Sequence, residues 1–379
     1  MLDFDVSSFV LGAIGILLIG HFQQLLTYLL FGNGLLQPPK QVQRSIGCCE
    51  FEQGSDCCGR NGVPGRLIQG SRGMIHYMLV PPMNDSLLND TSLLNDGSNH
   101  LLSNQQPLLK NSRSVTGLGV EMLPDDITED LVVILHGFAG SSHVFQSEER
   151  SGLMYALACS NRWVLTMDNY GHGHSDGPDT DYSCELFAEQ LAELCWMLRI
   201  RKPFILIGFS MGGSTAVVFA SRHRTMVKKL ILHSPSVVEA PLRLSLRVAL
   251  RIPVFRELLS FVIIPRIGEC SKHHGAVRAS FRLLLTRIRG GGRWTSQSAG
   301  GSTLQMLREG FSHPVFVLWG EKDSVVPFSE AAVLMKVAPY IQLVTHAEAD
   351  HMCFADGEQM SLKLFFRQTL LDFCDKETV

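Results

Sequence analysis

Apolar positions change their spacing several times along this chain, and each change marks an element. From Arg66 to Val80 apolar and polar residues alternate (Leu67-Ile68-Gln69, then Met74-Ile75-His76-Tyr77-Met78), which predicts a β-hairpin. Leu131 to Leu135 is apolar without a break, the pattern of a strand buried on both faces. A helical stretch follows over 150–160, then a strand over Trp163 to Met167. Between Cys184 and Leu198, Leu186, Phe187, Leu191, Leu194 and Leu198 recur at helical spacing. Ile205-Leu206-Ile207 reads as a short buried strand, with a helical run from Ser214 to Ser221 after it. Leu230 to His233, Val315 to Trp319 and Gln342 to Thr345 supply further strands, and a last helix is predicted at about Glu358 to Phe373. Strands that alternate with helices imply an α/β fold with a mostly parallel central sheet flanked by helices.

Three stretches depart from this rhythm. Residues 82–127 are rich in Asn, Ser, Asp and Leu, with a near-repeat (Asp85-Ser86-Leu87-Leu88-Asn89, Thr91-Ser92-Leu93-Leu94-Asn95), and read as a disordered insert. Residues 236–312 lie between two core strands and are too long for a simple loop, so a helical cap is predicted there. At the N-terminus, Val6 to Pro39 contains no Asp, Glu, Lys or Arg, and Phe9 to Phe31 is long and apolar enough to cross a bilayer. His21, Gln23 and Gln24 interrupt that run, so an amphipathic helix lying on a membrane or on the domain is the alternative. The expected organisation is a membrane segment at 1–35, a Cys-rich linker at 36–62, a core at 63–235, the cap at 236–312 and the rest of the core at 313–379.

Composition sharpens this picture in two places. Charged residues make up only 18% of the 379, and the net charge is −3. The stretch 236–312 carries eleven arginines and one lysine against four glutamates, so a cap of net charge +8 sits on an acidic remainder. Arg243, Arg247 and Arg251 recur every four residues among Leu242, Leu246, Ala249 and Leu250, an amphipathic helix with one basic stripe. That stripe suits a lid resting on an anionic membrane, or a solvated face of a helix packed on the core. Without a reader motif or interleaved aromatics, the positive charge does not point to nucleic acid.

Ten cysteines are present, four of them as Cys48-Cys49 and Cys57-Cys58 just past the apolar segment. They suit palmitoylation if the body is cytosolic and disulfides if it is luminal, while their spacing is not a usual zinc pattern. The other six are scattered, and buried thiols are expected. Lys40 and Arg44 follow the segment and Asp3 and Asp5 precede it, which favours a cytosolic body. The sequons at Asn84 and Asn89 would be glycosylated only in the luminal orientation.

The candidate chemistry begins at Gly208-Phe209-Ser210-Met211-Gly212, a G-x-S-x-G string between a predicted strand and a predicted helix. In that context the glycines permit a sharp turn that lifts the serine hydroxyl clear of the sheet. A serine hydroxyl is a poor nucleophile near neutral pH and needs a base, which needs an orienting acid. His351 lies beyond the last strand and Asp323 just after the strand Val315 to Trp319, both at the C-terminal edge of the sheet where α/β sites form. Glu239 is a fallback acid, His346 reads as a surface histidine in or just beyond the last strand, and His143 and His233 read as structural or as supports behind the catalytic residues.

With Leu135-His136-Gly137-Phe138 upstream and Ala349-Asp350-His351-Met352 downstream, the chain resembles the serine α/β hydrolases of the lipase and esterase type, over about 65–379. Within them it is similar to the membrane-anchored monoacylglycerol lipases. The resemblance implies Ser210 as nucleophile, Asp323 as acid, His351 as base, and an oxyanion hole from the backbone N–H groups of Phe138 and Met211. It implies no metal and no cofactor. Asp168-Asn169-Tyr170-Gly171-His172-Gly173-His174-Ser175 resembles a family loop that shapes the site. Two departures stand out: Ala349 where the family often has Gly, and the acidic Asp350 directly before His351.

The expected activity is hydrolysis of lipid carboxylic esters, a monoacylglycerol or lysophospholipid, through an acyl-enzyme. The alternatives are a protein depalmitoylase or thioesterase, a general carboxylesterase, and an inactive membrane-bound interaction protein. For the last, Glu377-Thr378-Val379 faintly resembles a PDZ ligand.

Overall fold

The computed structural model describes residues 65–83, 130–138, 140–146, 152–178, 180, 182–237, 303–351 and 360–376. The segment 1–35, the linker and its four cysteines, most of the insert, most of the cap with Glu239, and the C-terminal tripeptide lie outside them. Among the described residues no helix is long and apolar enough to cross a membrane.

Eight strands form one sheet: β1 (Arg66–Gly70), β2 (Gly73–Val80), β3 (Leu131–Leu135), β4 (Trp163–Met167), β5 (Phe204–Phe209), β6 (Val227–His233), β7 (Val315–Gly320) and β8 (Gln342–His346). Their order is β1-β2-β4-β3-β5-β6-β7-β8. The predicted hairpin is β1 and β2, antiparallel with Gly70 opposite Gly73. β2 also runs antiparallel to β4, and every later pairing is parallel. The described helices are α1 (Leu153–Cys159), α2 (Cys184–Met197), α3 (Met211–Arg222), α4 (Thr303–Glu309), α5 (Ser329–Val337) and α6 (Met360–Asp375).

Successive side chains of a strand point to opposite faces, and the central strands are apolar throughout because both faces are covered. Val133, Leu135 and Leu206 join one core layer with Leu191 and Leu194 of α2, Val217 of α3 and Leu307 of α4. Val132, Ile134, Ile205 and Ile207 join the other with Leu157 of α1 and Phe366 and Leu370 of α6. Truncating one of these buried leucines or isoleucines to Ala should cost about 2–5 kcal/mol. α4 falls within the stretch 236–312, and its Met306 and Leu307 pack in the core layer under α3.

Local chemistry fixes the helix ends. Ser183 caps α2 by accepting a hydrogen bond from Leu186 N–H at 3.3 Å. The buried Lys229 ammonium of β6 donates to the carbonyls of Phe373, Cys374 and Lys376, so it closes the C-terminus of α6 and pins that helix to the sheet. Of the scattered cysteines, Cys184, Cys195 and Cys374 are buried thiols, while Cys159 is only partly buried. His346 ends the edge strand β8, partly exposed, and packs edge-on against Phe365, with ring centroids 4.7 Å apart.

Candidate active site

β5 delivers Ser210 to the C-terminal edge of the sheet, and α3 starts at the next residue. The chain reverses there through a strained backbone: Ser210 has φ +52° and ψ −117°, a conformation rare for a residue with a side chain. The surroundings hold it. Ser210 N–H donates to His233 O at 3.0 Å, and Ser210 O accepts from Gly213 N–H at 2.9 Å and Ser236 N–H at 3.1 Å. The turn tolerates little bulk beside it. A Cβ on Gly212 would fall 2.4 Å from Leu135 O, and one on Gly208 would fall 2.5 Å from Gly212 O. The glycines of the motif are therefore required by close approach of α3 to β3 and β5.

The loop after β3 lies against this elbow. A Cβ built on Gly137 would be 3.1 Å from Ser210 Cβ and 3.7 Å from its Oγ. Phe138 follows directly, so the structure brings its backbone to the serine. Met211 N–H stands in the first turn of α3, where N–H groups have no partner within the helix and the helix dipole favours negative charge. Gly137, whose carbonyl carbon is bonded to the Phe138 nitrogen, thus lies against Ser210, and Met211 follows Ser210 in the chain.

Asp323 and His351 come together from the loops after β7 and β8. His351 Nδ1 and Asp323 Oδ2 are 2.8 Å apart. The other carboxylate oxygen, Oδ1, accepts from Val325 N–H at 2.9 Å and Val326 N–H at 2.8 Å, so the acid cannot rotate away. Burial opposes the charge on Asp323, but the His351 partner, together with Ser234 and the Val326 N–H, holds the carboxyl below its ordinary value. His351 therefore keeps its proton on Nδ1 and its lone pair on Nε2, the tautomer a general base needs. His233, whose carbonyl fixes Ser210, is also within electrostatic reach of His351 and Asp323. Burial, with His351 adding to it, depresses His233 to about 3, so it stays neutral.

Asp350 is turned away from the imidazole. Its carboxylate accepts from Ser324 N–H at 2.9 Å and from His351 N–H at 2.7 Å. Ala349 in place of Gly causes no conflict, because its side chain is buried in the second core layer. The close approach falls on Gly320 instead, where a Cβ would lie 2.3 Å from Ala349 O.

Sequence reasoning passed over a second carboxylate–imidazole centre at the same edge. Asp168, the residue after β4, is completely buried and meets His76 Nδ1 of β2 at 2.7 Å. Burial alone would raise its pKa, and His76 and Ser142 hold it well below the ordinary carboxylate value. Its partners lie far apart in the chain, so no local spacing marks it. Among the described residues no group of three or more His, Cys, Asp or Glu could hold a metal ion.

Residues 130–261 match the family model described as alpha/beta hydrolase fold. An uncharacterized protein of Mycobacterium tuberculosis is 24% identical over 249 residues, 59% of this chain and 71% of the relative. The sn-1-specific diacylglycerol lipase ABHD11 of Mus musculus is 27% identical over 263 residues, 64% of this chain and 81% of the relative. Among solved structures, an esterase from Exiguobacterium antarcticum superposes with a TM-score of 0.54 at 18% identity, covering 82% of this chain and all of the esterase. A bacterial membrane phospholipase A superposes at 0.53 and 16% identity, covering 85% of this chain and 89% of the phospholipase. At these identities the superpositions show the fold.

Proposed function

We propose that this chain, an α/β hydrolase in fold with lipases and esterases among its relatives, is a serine hydrolase of lipid carboxylic esters. The observation that carries the reading is the strained Ser210 elbow with Gly137 pressed against it, at the edge where Asp323 and His351 are hydrogen-bonded.

In the proposed reaction His351 Nε2 takes the Ser210 proton as Oγ attacks the ester carbonyl. The carbonyl π pair moves onto oxygen, and the N–H groups of Phe138 and Met211 stabilise that oxyanion. The carbonyl re-forms, the alkoxide leaves with the proton from His351, and Ser210 is acylated. Water deprotonated by His351 attacks the acyl-enzyme, and collapse releases the acid and restores Ser210. Asp323 holds the imidazole in place and stabilises its cation, and no step calls for a metal.

A monoacylglycerol or lysophospholipid is the preferred substrate class. The apolar segment at 1–35 would tether the enzyme to a membrane with its body on the cytosolic side, and the basic amphipathic stripe at Arg243, Arg247 and Arg251 would rest on anionic lipid. The lipase relative supports an ester of this kind.

The test is labelling of membrane fractions with a fluorophosphonate probe, wild type beside Ser210→Ala. Labelling of the wild type that the variant lacks supports the reading, and a well-folded wild type that resists the probe even on lipid vesicles overturns it. For the substrate class, cleavage of short soluble esters with no gain on long-chain lipids would exclude the lipid assignment.

A further inference from the structure

We infer that Asp168 is a positioning residue for the proposed reaction: it fixes the loop from His136 to Ser142, and with it the Phe138 N–H, where the oxyanion forms. This rests on the serine-hydrolase reading above.

A carboxylate taken fully out of water is retained only where its acceptor sites are filled. Asp168 has no exposure, and both its oxygens are occupied twice. Oδ1 accepts from Ser142 N–H at 2.7 Å and Ser142 Oγ–H at 2.6 Å. Oδ2 accepts from His76 Nδ1–H at 2.7 Å and His174 N–H at 2.9 Å. One side chain thereby ties β2, the loop after β3 and the loop after β4 to one point.

The neighbouring residue holds the other end of the same loop. Asn169 N–H donates to His136 Nε2 at 3.0 Å, which leaves the ring proton on Nδ1, and that nitrogen donates to Gly137 O at 2.8 Å. Gly140 N–H donates to the same carbonyl at 3.2 Å. Phe138 stands between these fixed ends. The clamp is itself braced: Gln190 donates to Asp168 O at 2.9 Å and accepts from Tyr170 N–H at 2.8 Å, and Ser175 Oγ donates to Asp168 O at 2.6 Å. The oxyanion amide is a backbone group, so its position depends on this clamp rather than on any side chain at Phe138. A donor displaced by about 1 Å can cost about 10²-fold in rate.

An asparagine at this position would present one acceptor oxygen instead of two. Its amide group would face the His174 N–H and the His76 ring nitrogen, so part of the clamp must open. Asp168→Asn is expected to lower kcat on p-nitrophenyl butyrate about 10²-fold with KM nearly unchanged, counted per site titrated to completion by fluorophosphonate. Affinity for an alkyl trifluoromethyl ketone, which forms an oxyanion when Ser210 adds to it, should fall in parallel. Ser142→Ala removes one of the four bonds and should lower both quantities less, with Ser142→Thr restoring them; this variant carries the test if Asp168→Asn does not fold. Both variants keeping kcat per site and ketone affinity within about twofold, with only the melting temperature lowered, would overturn the inference. Ser210→Ala in the same assays separates the two ideas, since hydrolysis surviving in that variant would sink the serine-hydrolase reading itself.

Discussion

Two carboxylate–imidazole pairs stand at the same edge of this sheet, each an Nδ1–Oδ2 contact to a buried carboxylate, and they differ in the histidine's exposure and in what else the acid holds. Asp323 and His351 meet at 2.8 Å, Asp168 and His76 at 2.7 Å. His351 lies on a loop beyond β8, and its side chain keeps 10% of its exposure. His76 lies within β2 with no exposure, and a Cβ on Gly65 would fall 1.9 Å from its Nε2. Asp323 spends one oxygen on two backbone amides and offers the other to the imidazole. Asp168 has every acceptor site filled from three segments. A carboxylate beside a histidine is therefore no signature of catalysis. A working pair needs one ring nitrogen fixed and the other left to the reaction space.

The largest expected effect separates the two pairs by chemistry. Asp323→Asn keeps the shape of the acid but loses the charge that, in the proposed reaction, orients the imidazole and stabilises its cation. It should lower kcat about 10⁴-fold. Single-turnover acylation measures this, with circular dichroism confirming an intact fold. A loss below tenfold would mean that another acid supports His351, and Glu239 is the candidate named by sequence.

The second effect separates them by stability. His76→Ala leaves the buried Asp168 carboxylate without one of its four hydrogen-bond donors, which should cost about 1–3 kcal/mol. Hydrolysis per titrated site should fall far less than in Asp323→Asn, because the Ser142 bonds to Asp168 survive. Urea unfolding reads the first quantity and burst titration the second. A variant as stable as wild type would show that the Asp168–His76 pair contributes little to the fold.

Acid should strain both centres, in a defined window. Burial depresses His172 and His233 to about 3 and lowers His136, from an ordinary value of 6.5. The unfolded chain then binds protons that the folded chain refuses, so stability is complete above about pH 6.5 and falls as pH drops below it. Each unit of depression is worth about 1.4 kcal/mol. Asp168 and Asp323, both held below 3.8, add a further loss only below that pH. The melting temperature should therefore begin to fall near pH 6.5, well before the carboxylates titrate. His172→Phe keeps the ring packed edge-on against Phe187 and should flatten the slope between pH 6.5 and 5. An unchanged slope would assign the loss to other groups.

The difference between the centres also explains what the sequence disclosed. Strands β3 and β5 were legible because burial on two faces demands unbroken apolar runs. Ser210 was marked by a glycine-bounded string at a strand end, and Asp323 and His351 by their places just beyond the ends of predicted strands. Asp168 collects His76, Ser142 and His174, which lie 92, 26 and 6 residues away, so only the folded sheet reveals it. Gly320 illustrates the same limit: the close approach that excludes a side chain there comes from Ala349, across the β7 and β8 loops.

The smallest expected effect concerns the acid next to the base. Asp350 adjoins His351 in sequence, and a carboxylate so near could rival Asp323 as its partner. The geometry assigns it elsewhere. Ser324 N–H and His351 N–H donate to Oδ1, and Ser324 Oγ lies 3.1 and 3.2 Å from the two oxygens. Its contacts are to backbone and hydroxyl groups that an amide oxygen can also accept. The side chain is exposed, so its charge is largely screened by water and salt. Asp350→Asn should therefore change kcat by less than about threefold and stability by less than about 1 kcal/mol. The acid limb of the pH–rate profile should move by less than about half a unit. A loss approaching that of Asp323→Asn would mean that Asp350 swings onto the imidazole during turnover, and the contrast between a working and a locked pair would then have to admit a third carboxylate.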